Sequence, residues 1–412
     1  MTVLHFTRTM PALIPRYVSR FSCIGPACED NCCTGWRVTI DKKTFNSYRQ
    51  SQHPQLRQGF GQHLARLRSQ ESQSAYGRIN MQAETGECPF MEERLCSVQK
   101  HLNESHLSNT CFSYPRVSRS LGNSHEQALQ LSCPEAARQA LLAPDAFEFI
   151  EGSITVRADT VSATKARSGL SLDMINDIRI FCLNLVRVQQ MPLWQRLAIL
   201  GMFCKSLSDA LRDYQQSTVP SLLDSYATMV EQNLARESLE QLLPNHAAQA
   251  RVFSCLWSGK SPSLHSAAQK AVHDAVTRGL GADPETGVVK TDEMIAHYTR
   301  GIERLPEALS AAPLLLEHYV LNEMFLQLFP FEGKDPFENY VLLISRFGVL
   351  RLMLAAQCNT EGELPNAEQL VQTVHVFCRR FQHDAAFAKQ TNESLRATGL
   401  NSLASLYAFL RS

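Results

Sequence analysis

From about residue 171 to the end of the chain, apolar residues recur three and four positions apart. Ile175, Ile178, Cys182 and Leu185 share one helical stripe. So do Leu197, Leu200, Cys204, Leu207 and Leu211, and again Val371, Val374, Cys378 and Phe381. This period predicts amphipathic helices. Breaks fall near Pro192, Pro220, Pro244, residues 261–262, residues 279–281, Pro313, Pro330, Gly333 and Pro365. They divide the region into about eight to ten helices. No fixed-period repeat is present, so the pattern is not that of a solenoid.

The first third reads differently. Residues 1–36 have little helical period and are punctuated by Pro11, Pro15, Gly25, Pro26 and Gly35. Residues 36–40 alternate and predict a short strand; Asp41 is a plausible N-cap for a helix through Tyr48. A further helix is expected at about 54–68 and a strand at 78–81. Apolar pieces on either side of Glu92, Glu93 and Arg94 predict a hairpin that folds Cys88 back toward Cys96. Residues 97–107 are polar-helical, and the turn signal at 121–124 predicts a second hairpin within 117–131. Ser132 and Glu135 have capping-box spacing around Pro134. This places Cys133 at the first helical position, where the helix dipole should lower its thiol pKa. The fold class is therefore mainly α. A loop- and hairpin-rich α+β cysteine-cluster domain (1–143) is followed by a linker (144–170) and a larger all-α helical domain (171–412).

Composition sharpens this division. Thirteen cysteines are present in 412 residues. Eight of them, Cys23, Cys28, Cys32, Cys33, Cys88, Cys96, Cys111 and Cys133, lie in loops, hairpin arms and a helix start. The other five, Cys182, Cys204, Cys255, Cys358 and Cys378, keep apolar helical company and are expected in the core, where a thiol behaves as a small hydrophobe. A chain this long does not need disulfides to stay folded. No basic leader followed by an apolar core opens the sequence, and no uninterrupted apolar run reaches the ~20 residues of a bilayer span. A cytoplasmic protein without membrane insertion is expected. In a reducing compartment, clustered cysteines point to metal binding or catalysis.

Soft thiolates select iron–sulfur clusters or zinc, and either takes about four of them. The eight cysteines therefore suit one site with spares, or two. The spacing has no paired C-x2-C knuckles and no C-x3-C-x2-C triad. Adjacent Cys32 and Cys33 should point apart and compete for one position. His101 and His106, between Cys96 and Cys111, are more simply helix-face histidines than ligands. Formal net charge is zero. Residues 1–143 hold 16 basic against 11 acidic residues, and no basic run suggests nucleic acid. Gly59 and Gly61 are the nearest approach to a glycine-rich cofactor turn, and they fall inside an expected helix with no strand before it.

Taken together, several segments resemble a known family. They are Cys28, Cys32 and Cys33; Cys88, Pro89 and Phe90; the run Leu95 to Gln99; the run Cys111 to Arg116; and the run Leu131 to Arg138. With Cys23 and the run Cys33 to Trp36, this set resembles the flagellin lysine N-methylase family and its metal-chelating cysteine-cluster domain. Tyr319 to Asn322 and Phe325 to Pro330 resemble it less specifically. The resemblance implies transfer of methyl groups from S-adenosylmethionine to the ε-amino groups of surface lysines of flagellin, in the cytoplasm. It also implies an iron–sulfur cluster, a 4Fe-4S cluster rather than zinc, on the clustered cysteines. An open iron of such a cluster could hold the amino and carboxylate groups of the cofactor's methionine. A non-enzymatic metal-binding adaptor for a protein partner is the alternative. The motifs name no catalytic residue and no cofactor-binding residue. Tyr114 and Arg116 beside Cys111 are expected to brace their loop, with Arg116 also able to pair with a carboxylate.

Overall fold

The computed structural model describes residues 3–68, 72–259, 264–283, 286–333, 335–359 and 362–411. The expected break at 261–262 lies outside them. Two compact units emerge. One contains 3–139, 148–164 and 264–270; the other contains 140–147, 165–259 and 271–411 among the described residues.

The first unit opens with strand β1 (Arg8–Pro15) and helix α1 (Arg16–Arg20). It continues through β2 (Thr39–Ile40), α2 (Lys42–Gln50), α3 (Arg57–His63), β3 (Leu64–Arg66), β4 (Gly77–Ile79), β5 (Met91–Glu92) and β6 (Leu95–Cys96). Then come α4 (Ser97–Leu102), α5 (Asn109–Ser113), β7 (Arg116–Leu121), β8 (Ser124–Leu129), α6 (Pro134–Leu141), β9 (Phe149–Val156) and β10 (Val161–Thr164).

Both expected hairpins form. In β5–β6, Met91 pairs with Cys96 and Glu92 with Leu95. The turn residues Glu93 and Arg94 both take positive φ, as a two-residue type I′ turn requires. The Arg94 side chain supports that conformation by donating to the carbonyl oxygens of Pro26 and Cys28. Asp41 caps α2 by accepting from the Thr44 N–H at 2.9 Å. The helix expected at 54–68 stops at His63, because residues 64–66 pair with β4 instead.

The expected linker at 144–170 is corrected. It carries β9, which pairs along its whole length with β1, and β10, which pairs with β7. These complete a five-stranded sheet in the order β10-β7-β8-β1-β9. A separate core of Val38, Ile40, Tyr48, Leu56, Phe60, Ile79 and Phe90 lies under the small β2-β4-β3 sheet and its helices.

The second unit has, among the described residues, twelve helices rather than eight to ten. They are α7 (Leu172–Val186), α8 (Leu193–Arg212), α9 (Val219–Glu231), α10 (Arg236–Glu240), α11 (His246–Ser258), α12 (Ala267–Gly279, which begins in the first unit), α13 (Thr291–Leu309), α14 (Leu315–Leu326), α15 (Pro336–Cys358), α16 (Ala367–Phe381), α17 (Ala385–Ala397) and α18 (Leu403–Leu410). Helix α15 is the axis, packed by α8, α11, α13 and α16. Its length and composition would suit a membrane span, yet Glu338, Arg346 and Arg351 interrupt it and almost every residue is buried inside this unit. Gly301 lets α13 lie directly on α15: a Cβ there would fall 2.1 Å from the Ala355 carbonyl oxygen.

Cys182, Cys204, Cys358 and Cys378 are buried as expected. Cys255 is exposed, which corrects its reading as a core residue. Helix α11 buries Gln249, Ala250 and Phe253, and Cys255 lies off that stripe.

Candidate functional site

The clustered cysteines are delivered by four local structures. Cys28, Cys32 and Cys33 lie on the loop before β2. Cys88 and Cys96 flank the β5–β6 hairpin. Cys111 is on α5, and Cys133 precedes α6. Short backbone links hold these pieces together. The Cys88 N–H donates to the Cys33 carbonyl at 2.7 Å, and Thr34 bridges Glu87. The Cys33 N–H donates to the Asn31 side chain at 2.9 Å. Ser108 caps α5 by accepting from the Cys111 N–H at 3.2 Å. Arg138 of α6 reaches back to Glu29 and Glu135. Cys88 belongs to the small apolar core, and Cys33, Cys96 and Cys111 pack against it.

Cys32 shares its loop with Cys28 and Cys33. It is exposed, and its charge is felt at Cys28, Cys33, Cys88, Cys96, Cys111 and Cys133 alike. The thiols of Cys32 and Cys33 hydrogen-bond each other. The expectation that they point apart is therefore corrected: the loop after Asn31 turns tightly enough to bring neighbouring sulfurs together. Cys23 is exposed and is not among the leading electrostatic influences on any of the seven. All thirteen cysteines are free of disulfides.

Burial pushes the Cys28 thiol up to about 11 and those of Cys88, Cys111 and Cys133 up to about 12. Cys96 is also raised, mainly by burial, and Cys33 is raised first by its hydrogen bond with Cys32 and then by burial. The neighbouring thiolates add to the effect, because like charges disfavour ionisation. Cys133 thus departs from expectation. Helix α6 begins at Pro134, which puts Cys133 at the N-cap, and burial outweighs the helix end. Backbone N–H groups nevertheless work in the opposite direction at four sulfurs. They belong to Asp30 at Cys28, Phe90 at Cys88, Gln99 and Val98 at Cys96, and Ala136 and Glu135 at Cys133.

Among the described residues, no group of three or more His, Cys, Asp or Glu side chains is arranged to hold a metal ion. The chemistry of the donors still fits a thiophilic metal or cluster. Seven cysteines come from the loop, hairpin and helix ends of one unit, and backbone N–H groups near four of them favour thiolate. His101 lies 3.7 Å from Glu92, and His106 Nδ1 contacts Ser105 at 3.2 Å. Both sit on helical turns, in agreement with their reading as helix-face residues. Gly59 and Gly61 lie within α3.

Sequence reasoning missed two features. In the helical unit, Arg346 Nη1 pairs with Glu323 Oε1 at 2.5 Å while Gln382 donates to the other oxygen at 2.9 Å. Arg196 pairs with Glu317 at 2.8 Å, and Gln189 donates to the same carboxylate at 2.9 Å. Charged residues inside the apolar runs of α8, α14 and α15 were the available signal. In the first unit, a cavity of about 510 Å³ opens against the five-stranded sheet and is lined in part by Phe112, Ser113 and Arg116. Residue pattern alone gives no hint of it, since its walls come from β1, β7, β8 and β9.

These features define a mainly α protein of two units, one of which gathers thiols from loop, hairpin and helix ends. The chain belongs to the FliB lysine N-methylase family: the model of the FliB lysine N-methylase C-terminal domain matches residues 179–409. It is similar to the lysine-N-methylase of Salmonella typhimurium, at 26% identity over 389 residues, which is 91% of this chain and 92% of that protein. The same figures hold for the lysine-N-methylase of Salmonella choleraesuis. The flagellar biosynthetic protein FliU of Salmonella muenchen is 39% identical over 133 residues, 32% of this chain and 78% of that protein. No solved structure matches the chain.

Proposed function

We propose that this protein is a cytoplasmic lysine methyltransferase that moves methyl groups from S-adenosylmethionine to the ε-amino groups of surface lysines of flagellin. Membership of the FliB lysine N-methylase family is the observation that carries this reading. The flagellar name of one relative supports flagellin as the substrate. In the transfer, the lysine nitrogen attacks the methyl carbon as the carbon–sulfur bond breaks. The amine must arrive neutral, and the sulfonium carbon must stand in line with it.

The clustered cysteines support a second part of the proposal. Cys28, Cys32, Cys33, Cys88, Cys96, Cys111 and Cys133 are the pool from which an iron–sulfur cluster would draw its ligands, with 4Fe-4S preferred to zinc. Cys23, which is exposed, is the eighth candidate. The cluster, when bound, supplies a cross-link between loop, hairpin and helix start and a centre for one-electron chemistry. The chain's part is to aim backbone N–H groups at Cys28, Cys88, Cys96 and Cys133 and to exclude water with the core around Cys88.

Incubating flagellin with the protein and S-adenosylmethionine, followed by mass spectrometry of its lysines, tests the activity. Lysines heavier by about 14 Da per methyl are expected; their absence would sink the enzyme reading. The absence of a glycine-rich cofactor turn favours the adaptor as second reading, in which a structural metal braces a partner-binding protein. That reading predicts a colourless protein with stoichiometric zinc and unmodified flagellin, whereas iron and sulfide in a brown protein support the cluster.

A further inference from the structure

The cavity of about 510 Å³ on the five-stranded sheet falls in the size range of small-molecule sites, roughly 300–1,000 Å³. Its lining contains one basic side chain, Arg116, and one acidic side chain, Glu104; the remainder is hydroxyls, one amide, Phe112 and aliphatic residues. Ser118 and Gln127 face each other in the β7–β8 register, and Gln127 donates to Ser118 Oγ at 2.8 Å.

Several arginines of this unit are committed to oxygen partners. Arg16 pairs with Glu148 at 2.6 Å. Arg138 pairs with Glu29 and Glu135. Arg157 donates to the carbonyls of Leu107 and Glu104 and to the Asn109 side chain. Arg116 makes no ion pair among the described residues; its guanidinium lies over the Phe21 ring, 5.1 Å from the centroid. That contact uses the guanidinium face and leaves its N–H edge for a carboxylate, which a planar fork binds in bidentate fashion. Glu104 also makes no side-chain ion pair among the described residues, although its charge reaches Arg157, and it supplies an acceptor for an ammonium group or a counter-charge for a sulfonium. A single guanidinium, a single carboxylate, several hydroxyls and an apolar wall match a ligand with a carboxylate, a cationic centre, a ribose and a base. Two of its lining residues, Phe112 and Ser113, directly follow Cys111 on α5.

We infer that this cavity is the methyl-donor site and that Arg116 binds the α-carboxylate of S-adenosylmethionine. This rests on the methyl-transfer reading and deepens it. It also departs from one implication of the family resemblance: the carboxylate is held by the chain itself and not by an iron of the cluster.

The test compares S-adenosylhomocysteine with its decarboxylated counterpart by calorimetry on the full-length protein. The wild type should bind the intact ligand about tenfold tighter or more, as expected of a charge-assisted bidentate contact. Arg116→Gln should abolish that preference while leaving the weaker ligand's affinity unchanged, and Arg116→Lys should restore part of it. Ser19→Trp, which fills the exposed edge of the cavity, should weaken both ligands equally. A folded Arg116→Gln protein that keeps the wild-type preference, in a preparation where the wild type methylates flagellin, overturns the site and leaves methyl transfer standing. A wild type that neither binds the ligand nor methylates flagellin overturns both.

Discussion

Cys96 and Cys204 are the same residue put to opposite uses. Cys204 sits within α8, wholly buried, with its pKa pushed far up first by burial and then by the Cys182 thiolate. Every backbone N–H near it is committed to the helical ladder, so nothing is left to stabilise a thiolate. Cys96 ends a two-residue strand and stands at the N-cap of α4. The N–H groups of Val98 and Gln99 have no carbonyl partner in the helix and favour the thiolate electrostatically, although the sulfur makes no capping hydrogen bond. Cys133 repeats the arrangement at α6, with Glu135 and Ala136. Backbone context therefore separates these thiols: the interior of α8 buries Cys204 as an apolar filler, whereas the cap positions leave Cys96 and Cys133 beside backbone N–H groups without helical partners.

The largest effect should come from the clustered thiols. Cys32→Ser removes the sulfur whose charge reaches the other six. It should remove most of the bound iron and flagellin methylation with it, measured by metal analysis and lysine mass spectrometry. Cys182→Ala should leave the iron content unchanged. Equal iron in the two variants would break the distinction between the units.

Much of this distinction is legible in the sequence. The hairpin that carries Cys88 and Cys96 follows from two apolar arms around a charged turn, and the helical stripes mark Cys182, Cys204 and Cys378 directly. What escapes is the pairing of β1 with β9. The two strands are far apart in the chain, and Leu13 and Glu151 meet in register only because the fold returns there. A short stretch of modest hydrophobicity gives no sign of such a distant partner. The neighbouring direction of Cys32 and Cys33 escapes for a related reason: it depends on a turn held by Asn31, not on residue type.

A moderate effect is expected in the helical core. Cys204→Ser exchanges a sulfur for a hydroxyl at a fully buried position. Serine can bond back to the carbonyl one turn earlier, so the cost stays near that of a poorly satisfied buried polar group, about 1–3 kcal/mol. Denaturant unfolding should show it as a lower midpoint with unchanged slope, and the iron content should stay at the wild-type value. A loss of iron alongside stability would mean that the helical unit does more than hold its own core.

Cys255 gives the smallest effect and the sharpest control, because its sequence neighbours and its structure disagree. Its apolar company suggests a core thiol, but α11 turns it outward. If exposure governs, Cys255→Ser should change stability by less than about 0.5 kcal/mol, as surface substitutions do, and native protein should be alkylated there by iodoacetamide. Cys204 and Cys378, buried on stripes of the same period, should stay unmodified until the chain unfolds. Alkylation of all three at one rate would show that helical periodicity does not decide which thiols are enclosed. Protection of Cys255 alone would show that its outward face is covered in solution. Modification of Cys255 with the other two protected is the result that follows if backbone position, rather than apolar company, assigns each thiol its role.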